Sequence, residues 1–85
     1  MRVVRTADFA RALDKLPKET QRLCETQIRR LTADWRDPRL HLKKLHGLAN
    51  TYSFRVTRSF RALFYFDAEG GLILFEIDNR KDVYR

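Results

Sequence analysis

The spacing of apolar residues changes once along the chain, from a helical period to an alternating one. Arg2 to Arg5 reads as a short strand. Phe9, Ala12, Leu13 and Leu16 then recur at i, i+3, i+4 and i+7, which predicts a helix with one buried face. Thr6 is placed to cap it, and Asp8 lies in the first turn, where the helix dipole favours negative charge. Pro17 breaks that helix and can open another, since proline is tolerated at a first helical position. The second helix runs to about Asp34, with Leu16, Thr20, Leu23, Ile28, Leu31 and Trp35 as its inner stripe. So short a link at Leu16-Pro17-Lys18 implies two antiparallel helices.

Residues 36–50 form a connector punctuated by Pro38 and Gly47, carrying Arg36, Arg39, Lys43 and Lys44 among leucines, with His41 and His46. Beyond it Tyr52, Phe54 and Val56 alternate with Ser53, Arg55 and Thr57. Phe60, Ala62, Phe64 and Phe66 alternate with Arg61, Leu63 and Tyr65 in the same way. Asp67-Ala68-Glu69-Gly70 is a turn cluster, followed by a strand from Gly71 to Ile77. The order β-α-α-β-β-β predicts a single α+β domain over 1–85, with two antiparallel helices packed on one face of a twisted antiparallel sheet.

Period-2 patterning fixes register, because a slip of one residue exchanges the faces. A three-residue loop at Thr57-Arg58-Ser59 pairs Val56 with Phe60, Phe54 with Ala62 and Tyr52 with Phe64, closing one apolar face. The same register sets Arg55 opposite Arg61 on the other, wet face. A four-residue turn at Asp67–Gly70 pairs Phe64 with Ile73, Ala62 with Phe75 and Phe60 with Ile77, leaving Arg61 across from Glu76. Facing like charges are locally unfavourable. Either Arg61 and Glu76 form an ordinary ion pair with Arg55 merely solvated, or an anion belongs between the arginines. The terminal run Asn79-Arg80-Lys81-Asp82-Val83-Tyr84-Arg85 adds an arginine and a tyrosine beside this face, a guanidinium for phosphate and a ring for base stacking.

Charge sharpens the choice of partner. Eighteen Lys and Arg against eleven Asp and Glu give a net charge of +7, which favours a polyanionic or acidic partner. Residues 1–50 hold twelve of the basic and six of the acidic residues, so the later arginines must be judged by geometry. Cys24 is the lone cysteine, which excludes an internal disulfide and a cysteine-based zinc site. His41 and His46 lack nearby carboxylates, so no metal or other cofactor is expected. No apolar run approaches the ~18 residues of a membrane span, and no signal-peptide pattern opens the chain, so a cytoplasmic protein is expected. Trp35 is read as a core anchor, and Arg22, Arg29 and Arg30 as a solvated helix face.

Lys44-Leu45-His46-Gly47, Tyr52-Ser53-Phe54-Arg55-Val56, Phe60-Arg61-Ala62-Leu63-Phe64-Tyr65 and the ending from Asn79 to Arg85 together resemble the RelE/ParE superfamily of toxins from type II toxin–antitoxin modules. The resemblance spans essentially the whole chain. It implies a cognate antitoxin and, for the RelE-like branch, metal-independent cleavage of mRNA on the ribosome by 2′-hydroxyl attack. By this resemblance Arg61, Arg80, Tyr84 and Arg55 are the catalytic candidates. Lys43, Lys44, His46, Ser53 and Lys81 are the RNA-binding candidates. Arg55 and Ser53 stand where typical RelE toxins carry lysine, and Asn79 where histidine is frequent. Arginine stays protonated and is a poor base. Tyr84 needs a lowered pKa to serve, and Lys43, Lys44 and His46 are alternatives. Two other readings stay open: a ParE-like inhibitor of DNA gyrase, and a decayed toxin that only binds its antitoxin.

Overall fold

The computed structural model describes residues 1–79. It contains β1 (Val3–Arg5), α1 (Ala7–Asp14), α2 (Lys18–Ala33), a 3₁₀ turn (Pro38–Leu40), β2 (Lys43–Lys44), β3 (Thr51–Arg55), β4 (Phe60–Phe66) and β5 (Leu72–Asn79). Thr6 caps α1 as expected, its hydroxyl accepting from Phe9 N at 3.1 Å. Pro17 sits at the N-cap of α2 rather than inside it. Gln21, one turn into α2, donates to the Leu16 carbonyl at 2.8 Å, so the second helix caps the end of the first. Ahead of the 3₁₀ turn, Asp37 accepts from the backbone and guanidinium of Arg39, which holds its carboxyl down at about 2. No helix among the described residues is long and apolar enough to cross a membrane.

The sheet has five strands in the order β1-β5-β4-β3-β2, and the expected α+β architecture of two helices and a sheet is present. Three neighbouring pairs are antiparallel, but β1 runs parallel to β5, pairing Val4 with Ile73. The sheet is therefore mixed, joining the first strand to the last. Within the connector, Lys43 and Lys44 form the additional edge strand β2, opposite Ser53 and Tyr52.

The core lies between the helices and one face of the sheet. Phe9, Cys24, Leu31, Leu40, Phe54, Ala62, Phe64, Leu72 and Leu74 are all fully buried there. Burial pushes the Cys24 thiol up to about 12, so it behaves as a packed apolar group. Trp35 anchors one end, with ring centroids 5.3 Å from Phe66 and 6.0 Å from Tyr52. The inner stripe of α2 departs from the expectation at three positions. Cys24 and Gln27 are buried, whereas Leu23 is 42% exposed. Gln27 tolerates that place because its amide donates to the carbonyls of Arg39 (2.9 Å) and Arg55 (2.8 Å) and accepts from Arg30. A polar side chain with every bond made can replace an apolar one at a helix seam, and apolar periodicity passes over it.

The β3–β4 hairpin has the expected register, Tyr52 with Phe64, Phe54 with Ala62 and Arg55 with Arg61. The β4–β5 register differs. The turn spans Asp67–Gly71, because the Asp67 carboxylate accepts from Glu69 N and Gly71 N, and Phe66 pairs with Leu72. Gly71 permits this approach: a Cβ there would lie 2.9 Å from Asp67 Oδ2. A bulge between Leu63 and Phe64 then shifts the ladder again, so Ala62 meets Ile77 and Arg61 meets Asp78, not Glu76. The run Leu72-Ile73-Leu74-Phe75 is apolar at every position and contains no alternation from which to read either shift.

Candidate RNA-binding face

Strand alternation sends Arg55, Arg61, Leu63, Tyr65 and Ser53 to the face opposite the helices. Two cross-strand rows follow from the pairing. One is Arg55–Arg61–Asp78; the other is Lys43–Ser53–Leu63–Glu76. Arginines thus meet carboxylates across three adjacent strands. Further along, Tyr65 and Phe75 lie with ring centroids 5.6 Å apart, and Tyr65 and Val4 are 38% and 41% exposed.

Arg61 does not stand in solvent as its register suggested; it is 7% exposed. Its Nε donates to Ser53 Oγ at 2.8 Å, and its Nη2 donates to the carbonyls of His41 at 2.5 Å and Ser53 at 3.2 Å. The side chain lies over β3 and ties the connector to the sheet. His41 contributes through its carbonyl, turned toward the arginine by a left-handed backbone (φ 48°). Alternation establishes which face a residue occupies, but not whether a neighbouring segment covers it.

Ser53 is 3% exposed, and its hydroxyl accepts from Arg61 Nε. Arg55 is half-buried, and its Nε has no hydrogen-bond partner. Its guanidinium therefore has capacity to receive an anion. Lys43 and Lys44 are exposed on β2, with Lys43 ending the Ser53 row and Lys44 opposite Tyr52 on the other face. His46 is exposed in the following turn. Arg80, Lys81 and Tyr84 lie outside the described residues.

Glu76 and Asp78 were not among the sequence candidates. They sit at i and i+2 on β5, opposite Leu63 and Arg61. Local desolvation, a hydrogen bond with Asp78 and the Asp78 charge together raise the exposed Glu76 carboxyl above its ordinary range. Two carboxylates two residues apart in a strand were the available signal, masked by a register that placed Glu76 in an ion pair.

The sequence matches no protein-family model and no curated protein. Solved structures do match. The chain superposes on a structure of the RelB–RelE antitoxin–toxin complex of Methanococcus jannaschii with a TM-score of 0.78 and 19% identity, over 95% of this chain and 94% of that one. A YoeB/ParE toxin of Agrobacterium tumefaciens gives 0.78 at 15% identity, over 93% and 98%. The RelBE2 toxin–antitoxin complex of Mycobacterium tuberculosis gives 0.62 at 26% identity, over 93% and 96%. The helix pair, the mixed sheet and these superpositions agree: the chain has the fold of the RelE/ParE superfamily of toxins.

Proposed function

We propose that the chain is the toxin of a toxin–antitoxin module and a metal-independent mRNA endonuclease that acts on the ribosome. The observation that carries this reading is the cross-strand pair Arg55 and Arg61, on a face where Arg55 Nε is buried without a partner. Two guanidiniums side by side repel unless an anion lies between them. A phosphodiester is such an anion, and it suits the two-point geometry of arginine. In cleavage by the 2′-hydroxyl, negative charge grows on the phosphoryl oxygens, and cations fixed beforehand stabilise it without reorganisation. Arg55 supplies that charge directly. Arg61, held by Ser53 and the His41 carbonyl, fixes the surrounding connector and adds to the local potential. Lys43 at the edge extends the basic track for the RNA backbone.

The partner on this reading is a cognate antitoxin bearing carboxylates and apolar anchors. The net charge of +7 would speed its association, and Tyr65 and Val4 offer exposed apolar contacts further along the same face. The test is induction in cells. Arrest of translation with messages cut inside reading frames supports the nuclease. Early DNA breaks with intact messages would establish a gyrase poison instead.

A further inference from the structure

Among the described residues, the arginines of this face supply charge for a reacting phosphate but cannot take a proton from the 2′-hydroxyl. Arginine stays protonated. The Ser53 hydroxyl is buried against Arg61, and Lys43 and His46 belong to the β2 edge and the turn beyond it. Resting on the nuclease reading above, we propose that Glu76 is the general base of this face and that Asp78 is its tuning neighbour.

Geometry comes first. Arg55, Arg61 and Asp78 occupy one row across β3, β4 and β5, and Glu76 lies one row along, diagonal to Arg61. From β3 to β5 is two strand spacings, about 10 Å. A phosphodiester drawn toward Arg55 therefore has β5 on its far side, with Leu63 as the apolar floor between them. The carboxylates on that side are Glu76 and Asp78. Asp78 pairs with Arg61 across the strands, and Glu76 stands opposite Leu63. Local desolvation, the hydrogen bond with Asp78 and the Asp78 charge favour the protonated form of Glu76.

Among the described residues, other charged groups lie on the elements packed around β5. Arg55 and Arg61 approach from β3 and β4. On β1, Arg5 pairs with Glu25 at 2.8 Å; on α1, against the opposite face of β5, Asp8 and Arg11 pair with each other. The raised Glu76 carboxyl follows from local desolvation, then from Asp78, and makes it a stronger base than an ordinary glutamate. In the step, Glu76 takes the proton of the 2′-hydroxyl as O2′ bonds to phosphorus. The P–O5′ bond breaks, and O5′ takes a proton from water. Glu76 later returns its proton to solvent, leaving a 2′,3′-cyclic phosphate and a 5′-hydroxyl with no net proton change.

Stability supplies a second readout. A carboxyl raised in the folded state holds its proton more tightly there than in the unfolded chain. Its contribution therefore becomes unfavourable as pH rises from the ordinary carboxylate range through the raised value. At neutral pH, Glu76→Gln removes that cost, so the variant should melt at or above the wild-type temperature.

The experiment measures single-turnover cleavage of ribosome-bound mRNA against pH for the full chain and for Glu76→Gln and Asp78→Asn. Wild type should gain rate with pH along an acid limb. Glu76→Gln should lose about 100-fold or more of the rate, together with that limb, while melting no lower. Asp78→Asn should stay active with its limb moved to lower pH, because Glu76 has lost the charge that raised it. Wild-type rate and pH dependence in a folded Glu76→Gln protein would overturn the assignment while leaving the nuclease reading intact. No cleavage by wild type, with or without ribosomes, would overturn both.

Discussion

Against the helices, Phe54, Phe64, Leu72 and Leu74 are fully buried and need no polar partner; on the opposite face Arg61 and Ser53 are nearly as inaccessible, yet hydrogen bonds hold them. Both faces of one sheet bury side chains, by different means. The first gains stability from apolar area and aromatic packing, such as Tyr52 stacked on Phe64 at 5.8 Å. The second spends hydrogen bonds to keep a charge in place and leaves another guanidinium, Arg55, incompletely bonded. The difference is one of means: one face is built from apolar contacts, the other from bonded charge, and the proposed function places the RNA on the second.

Substitutions can break that contrast, beginning with the largest effect. Phe64→Ala should cost about 4 kcal/mol by leaving a cavity among Phe54, Tyr52 and Phe66, read as a drop in melting temperature of about 15–30 °C. Arg61→Ala should follow at about 3 kcal/mol in chemical denaturation, since it removes charged hydrogen bonds to Ser53 and His41 together. Arg61→Lys should recover only part, because lysine lacks the fork that reaches both. A neutral outcome for Arg61→Ala would mean that the outer face contributes no structure.

The hairpin from Tyr52 to Phe66 was legible because it alternates strictly, so faces, register and the Arg55–Arg61 pair all follow from one rule. The last strand was not. Leu72 to Phe75 presents apolar residues to both faces, and only the Asp67 turn and the bulge decide which are inside. That error moved Glu76 into a false ion pair and hid its association with Asp78. Burial of Arg61 was equally invisible, since it depends on a carbonyl twenty residues away whose orientation needs a left-handed histidine. Gln27 escaped for the same reason: its partners are backbone carbonyls, which carry no sequence signature.

Smaller effects sharpen the comparison. Arg5→Ala breaks a half-exposed ion pair with Glu25 and should cost about 0.5 kcal/mol, less at high salt. The Arg5 guanidinium beside Glu25 lowers that carboxyl, so the contribution is present above the ordinary carboxylate range and is lost as pH falls through the lowered value. An acid titration of wild type against Arg5→Ala checks this: their stabilities should converge at low pH.

Arg55→Ala should change stability by no more than ~0.5 kcal/mol, because the side chain is half-buried and its Nε forms no hydrogen bond. Its effect belongs to chemistry, which makes it the sharpest probe of the outer face. The decisive measurement is the cleavage rate of ribosome-bound mRNA by purified wild type and Arg55→Ala, beside their melting curves. The expected result is equal melting temperatures and cleavage slowed by about 100-fold or more. An Arg55→Ala protein that folds normally and still cuts at the wild-type rate would contradict the assignment of this face to the RNA phosphate.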